Sequence, residues 1–154
     1  MADSVSNPHF LTVGSLKEAA AELAFQPIEP GHTAGQARLS IQIHVRDHKN
    51  RELRVADRTL EIHYGAFVFS QARRGIAEAA RLALSVSYGR APRAVETSGH
   101  PAHVHELGPK PGPADIDGRE PAVVTWHDGE MHYLVASGEL PAEVLVRIAG
   151  SLYR

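Results

Sequence analysis

A chain of 154 residues is the length of one ordinary domain, and its 43% hydrophobic and 22% charged content is that of a globular protein, neither disordered nor fibrous. Sixteen basic against eighteen acidic side chains give a net charge of −2, so no bulk positive field asks for nucleic acid. The absence of cysteine excludes disulfides, thiolate metal sites and cysteine nucleophiles together, and no apolar run approaches the roughly 18 residues of a membrane helix.

Residues 1–14 read as a loose leader, and Met1-Ala2-Asp3-Ser4 lacks the basic-then-apolar pattern of a signal peptide, so a soluble cytoplasmic protein is expected. Residues 15–154 read as a single domain. Ser15-Leu16-Lys17-Glu18 is a capping box that opens a helix over 15–25, ended by Pro27 and Pro30-Gly31. From Arg38 to Arg46 the pattern alternates strictly, with Leu39, Ile41, Ile43 and Val45 on one face, as in a strand buried on one side of an antiparallel sheet. Asp47-His48-Lys49-Asn50 is a turn, after which Leu53–Ala56 is expected to return along that strand. Leu60, Ile62 and Tyr64 alternate in the next strand, and Gly65 marks a bulge or bend before Phe67-Val68-Phe69 continue it. Ile76, Ala79, Ala80, Ala83 and Val86 then share a helical face, predicting a helix over 76–87.

Strands resume at Ala94–Thr97 and Ala102–Leu107. The stretch from Gly108 to Pro121 holds four Pro and three Gly and reads as a long loop. Val123–Val135 is a hairpin in which Asp128-Gly129 forms the two-residue turn, so His127 is expected opposite Glu130, Trp126 opposite Met131 and Thr125 opposite His132. A last helix spans 141–152, with Leu145, Ile148, Ala149 and Leu152 as its inward stripe. Strands that mostly pair in sequence predict an α+β fold, a curved antiparallel sheet of about six to seven strands with about three helices packed on one face.

Gly99-His100-Pro101-Ala102, Val123-Val124-Thr125-Trp126, Gly129, Tyr133–Ser137, Leu140, Glu143 and Ile148–Leu152 recur in an order that resembles a bacterial domain family of undefined chemistry. That domain sits at the extracytoplasmic end of membrane-tethered anti-sigma and regulatory proteins. The helix at Ser15–Phe25 followed by Pro27 and Pro30 is similar to its opening. The resemblance covers roughly residues 15–152 and implies a sheet-and-helix fold similar to lipoprotein-carrier and sensor domains, with binding or sensing as the role and no catalytic residues to carry over. Here the domain reads as a free-standing relative without a transmembrane anchor.

Ten histidines are the compositional oddity, because imidazole titrates near neutrality and is the commonest metal ligand. His103 and His105 fall on one face of a strand, and His100 could supply a third ligand; a solvated strand face accounts for the same residues. His127, Glu130 and His132, with Thr125, share one face of the hairpin and could form a two-His-one-carboxylate site, or be simply wet. His44 and His63 add to a polar face that could carry a pH-sensitive interface. Arg73-Arg74 with Arg81, Arg90 and Arg93 form a basic cluster able to meet an anion or acidic partner. Asp115-Ile116-Asp117-Gly118 lacks the closing glutamate of a calcium loop and reads as a turn.

These residues lead to a non-enzymatic binding or sensing domain, with regulation as its setting. An apolar ligand pocket would be lined by Phe67, Phe69, Trp126, Met131 and Tyr133, unless these five fill the core. The expected partner is a small apolar ligand or another protein, with self-association through sheet edges as a second route. No cofactor is required. The alternative is a His-based metal-binding protein or metal-dependent enzyme holding a divalent ion at His100, His103 and His105 or at His127, Glu130 and His132.

Overall fold

The computed structural model describes residues 9–47, 49–73, 93–106 and 122–153. Eight strands form one open antiparallel sheet: β1 (Phe10–Val13), β2 (Arg38–His44), β3 (Thr59–Tyr64), β4 (Val68–Ala72), β5 (Arg93–Thr97), β6 (His100–Glu106), β7 (Ala122–Asp128) and β8 (Met131–Ser137). Their order is β1-β2-β3-β4-β8-β7-β6-β5. Each half is therefore a four-strand meander, and the halves meet where β4 pairs with β8. Two described helices, α1 (Leu16–Ala21) and α2 (Ala142–Gly150), contribute to the same core cluster as the sheet. The helix expected over 76–87 and the loop over 108–121 lie outside the described residues.

Alternation within each strand and pairing between strands combine into rows that run across the sheet. One row is Ile41, Ile62, Phe69, Val135, Val124 and Val104, each paired with the next across six strands. All six are at most 2% exposed, so this row is the centre of the core. The row beside it runs Ile43, Leu60, Gln71, Tyr133, Trp126, Ala102 and Val95. Gln71 is the polar interruption, fully buried, and it is satisfied on both sides: its Oε1 accepts from the Ile28 amide at 3.1 Å and its Nε2 donates to the Ile28 carbonyl at 2.7 Å. Two hydrogen bonds to one backbone unit tie the chain after α1 onto the sheet, which is what makes a buried amide tolerable there.

Helix α1 begins as its sequence predicts. Ser15 Oγ accepts from the Glu18 amide at 3.1 Å, and Glu18 reaches back to the Gly14 amide at 2.9 Å. It stops at Ala21 rather than Phe25, where the Glu22 carbonyl accepts from Arg58 Nη1 at 3.1 Å. Helix α2 buries Leu145, Ile148 and Ala149 completely. It is pinned at its C-terminal end by Thr97 Oγ1 donating to the Val146 carbonyl and Ser98 Oγ to the Gly150 carbonyl. Gly150 permits this approach, since a Cβ there would sit 2.9 Å from Thr97 Oγ1.

The antiparallel sheet is as expected, but among the described residues there are eight strands rather than six to seven and two α-helices rather than about three. Residues 10–13, assigned to the leader, form edge strand β1 against β2. Leu53–Ala56 does not return along β2, because β1 and β3 occupy both of its edges. The return is confined to the Arg46–Glu52 bridge and the Leu53 amide donating to the Val45 carbonyl at 2.7 Å, after which the chain makes a 3₁₀ turn at Val55–Asp57. Gly65 does not interrupt one long strand; the chain reverses there, with the Tyr64 amide donating to the Phe67 carbonyl at 2.8 Å, and β4 folds back on β3. Leu39 does not face the core. A register shift between Arg38 and Ser40 turns it outward, and it is 69% exposed. In the last hairpin the turn is Gly129-Glu130, so His127 opposes His132 and Trp126 opposes Tyr133. Gly129 supplies the positive φ of 61° that the first turn position takes most readily from glycine. This displacement by two residues leaves every side chain on its expected face; a displacement by one would have exchanged the faces.

Candidate functional site

The rows that turn away from the core have a different chemistry. One crosses the whole sheet as Thr12, Gln42, Glu61, Ser70, Leu134, Thr125, His103 and Ala94. Its neighbours carry Ser40, His63, Val68, Ala136, Val123 and His105 on one side, and Ala72, His132 and His127 on the other. With His44 beside Gln42 on β2, six of the ten histidines lie on this outer face: His44, His63, His103, His105, His127 and His132.

They fall into local pairs and contacts rather than one cluster. His63 Nε2 lies 3.0 Å from Glu61 Oε1, and the His44 ring stacks on Phe10 at 4.9 Å. His127 and His132 face each other with ring centroids 5.8 Å apart. Burial and the neighbouring His127 hold the His132 pKa below the ordinary imidazole value. Burial and His103 do the same for His105. Both causes favour the neutral ring.

His100 is on the opposite side of β6 from His103 and His105. Its ring stacks on Tyr153 at 3.9 Å, its Nδ1 lies 3.2 Å from the Ser98 carbonyl and its Nε2 3.5 Å from Asp128 Oδ2. Ser98 and Gly99, both at positive φ (48° and 84°), form the tight turn that places it there. Tyr153 in turn accepts from Trp126 Nε1 at 3.0 Å. His100 therefore belongs to the packing at the C-terminus and is not gathered with His103 and His105. Glu130 sits in the hairpin turn, and its carboxylate reaches Arg73. Among the described residues no three of His, Asp and Glu come together as a metal-binding set.

The five aromatic and sulfur side chains expected to line an apolar pocket lie on or against the core. Phe67, Phe69, Trp126 and Tyr133 are each at most 6% exposed, and Met131 packs against them from the rim. Phe69, Trp126 and Tyr133 stack on one another with centroids 5.2–6.5 Å apart, and Phe67 stacks on Tyr64 at 4.5 Å.

A cavity of about 310 Å³ opens instead at the outer-face corner where β4 ends and the β7–β8 hairpin turns, lined by Ala56, Arg73, Glu130 and His132. Each lining residue has a structural reason to be there. Ala56 is held in the 3₁₀ turn braced by Arg54 Nε donating to Asp57 at 3.0 Å. Arg73 follows directly on Ala72, which is fully buried and pairs with His132. Arg73 Nη2 donates to Glu130 Oε2 at 2.6 Å, so two of the lining residues form an ion pair. His132 Nδ1 is buried and has no hydrogen-bond partner among the described residues.

Such a corner can present a cation, an anion and a neutral imidazole to one small molecule. His132 and Glu130 were visible from the hairpin pattern. Arg73 was visible only as one of a run of arginines, and Ala56 carried no signal. The basic cluster itself is not local in its described members: Arg73 follows β4 and Arg93 lies on edge strand β5, with β8, β7 and β6 between them. Arg74, Arg81 and Arg90 lie outside the described residues. Among the described residues no helix is long and apolar enough to cross a membrane. Comparison with protein families, with curated proteins and with solved structures found no match in any of the three.

Proposed function

We propose that this chain is a non-enzymatic binding domain, with the helix-covered side of the sheet as scaffold and the corner cavity as the receptor for a small molecule. The carrying observation is the cavity itself, whose lining holds His132 together with the Arg73–Glu130 ion pair. Charged and polar side chains that converge on one concavity are what fix the orientation of a small bound molecule. The ligand is polar rather than apolar on this reading, because the aromatic set is packed in the core while the cavity wall is charged. A sensing role fits an outer-face corner whose occupancy is felt by the β7–β8 turn.

Native mass spectrometry on protein purified without added metal or chelator tests this reading. One small organic adduct per chain, lost in His132→Ala, is the expected result. A stoichiometric metal adduct would replace this reading with the histidine-based metal protein, and a clean apo mass at micromolar protein would sink tight binding of either kind.

A further inference from the structure

We propose that two copies of this chain pair through the free edge of β1, strand against antiparallel strand about a two-fold axis at Leu11, so that their sheets become one. The corner cavity plays no part in this pairing. Strand β1 is one of the two edges of the open sheet, and its ladder to β2 fixes which of its backbone groups are engaged. The Val45 amide donates to the His9 carbonyl at 2.8 Å. Antiparallel ladders alternate, so Leu11 opposite Ile43 and Val13 opposite Ile41 also turn their N–H and C=O groups towards β2. The N–H and C=O groups of Phe10 and Thr12 therefore point to the open side. A second β1, placed with Phe10 against Thr12 and Thr12 against Phe10, exchanges four hydrogen bonds with these groups and leaves none of them unmatched.

The side chains select a second copy as the occupant. Leu11 extends the inner row through Ile43 and Leu60, both fully buried, yet it is itself 38% exposed. At the two-fold axis it meets Leu11 of the copy as a non-hydrogen-bonded pair, the closer of the two antiparallel spacings, and the apolar row runs on from one molecule into the next. Thr12, also exposed, faces Phe10 of the copy on the outer side. No charged side chain lies between Phe10 and Val13, so the axis brings no like charges together. The other edge differs: β5 carries exposed charges of both signs, Arg93 and Glu96, the usual guard of an edge against pairing. Between Phe10 and Val13, β1 has no charge, no proline and an unbroken register with β2.

The test combines sedimentation velocity with crosslinking of the full chain. A contact this short is at the low end of protein interfaces, so a dimer with a dissociation constant on the order of 100 µM is expected. Leu11→Lys, which sets two charges face to face at the axis, and Thr12→Pro, which removes an outward N–H, should each weaken the dimer at least tenfold, with the amide spectrum showing that the sheet is intact. The chain has no cysteine, so a single introduced thiol reports the register by itself. Leu11 and its counterpart would have Cα atoms about 4.5 Å apart, within disulfide reach, whereas Thr12 would lie about 8 Å from its own counterpart, beyond it. Under diamide oxidation Leu11→Cys should therefore give a disulfide-linked dimer, and Thr12→Cys and Val95→Cys should not. A monomer at every concentration, with no crosslink from Leu11→Cys, overturns the pairing. Equal crosslinking of Thr12→Cys overturns the register, and crosslinking of Val95→Cys in place of Leu11→Cys moves the interface to β5 and overturns the proposal. A dimer untouched by Leu11→Lys and Thr12→Pro overturns it as well.

Discussion

The two faces of the sheet are built from the same strands and alternate residues, yet they solve opposite problems. On the inner face, the row from Ile41 to Val104 is apolar at every one of its six positions, and the single polar member of the next row, Gln71, is fully paired with Ile28. On the outer face, the corresponding row runs from Thr12 to Ala94 through glutamate, serine, threonine and histidine, and a buried nitrogen of His132 lacks a partner among the described residues. An unmatched buried nitrogen is not peculiar to the outer face, since Arg58 Nε, beside the end of α1, also lacks a partner among the described residues. What sets the outer face apart is its corner cavity, lined by Arg73, Glu130 and His132, and that is where binding is to be sought.

The largest expected effect probes the inner side of that contrast. Phe69 is fully buried and stacks on both Trp126 and Tyr133, so Phe69→Ala should cost about 3–5 kcal/mol in urea unfolding. Thr125→Ala, one strand position from Trp126 but on the outer face, should change stability by no more than about 0.5 kcal/mol. Equal losses from the two substitutions would mean that the outer face is as tightly packed as the inner one.

A smaller effect should come from pH, and from the outer face. His132 and His105 titrate in the folded protein below the unfolded imidazole value of about 6.5, for reasons of burial and a neighbouring histidine. In that window the unfolded chain binds more protons than the folded one, so stability is full above about pH 6.5 and falls as the pH drops through the folded values. Urea midpoints measured from pH 7.5 to pH 5 should decline, and His132→Gln and His105→Gln should each flatten the decline. An unchanged slope in both variants would show that these rings do not sense burial. On the inner face the linkage has the opposite sense: burial lifts the Tyr64 and Tyr133 phenols to about 12, so their contribution is present below pH 10 and is lost only as the pH climbs towards 12.

Sequence periodicity made the faces legible but not the neighbours. The alternation of Ile41 and Ile43, of Leu60, Ile62 and Tyr64, and of Val124 and Trp126 placed each side chain on its correct side, because the strand period of two is a local property. What alternation does not encode is which strand occupies an edge. Phe10–Val13 has too short a pattern to announce a strand, yet it takes the edge of β2 that Leu53–Ala56 was expected to fill. Leu39 follows the alternation and is still turned out, because a bulge depends on both partners of a pair. At the site, His132 and Glu130 were legible from the hairpin. Arg73 joins them only through the pairing of β4 with β8, a contact between residues about sixty positions apart that no local pattern holds. Gln71 escaped for the same reason: its partner, the Ile28 backbone, belongs to a segment with no periodicity at all.

The smallest expected effect bears most directly on what the outer corner is for. The Arg73 and Glu130 side chains are 39% and 77% exposed, and an ion pair that wet typically contributes about 0–1 kcal/mol to folding. A double-mutant cycle with Arg73→Gln and Glu130→Gln should therefore return a coupling in that range, shrinking further in 0.5 M salt. If the same substitutions abolish ligand binding, the pair's two roles are separated, since a contact nearly neutral for the fold would be decisive for recognition. A coupling of several kcal/mol would argue the reverse: the pair would then be a strut between the end of β4 and the β7–β8 turn, and the cavity beneath it a consequence of packing.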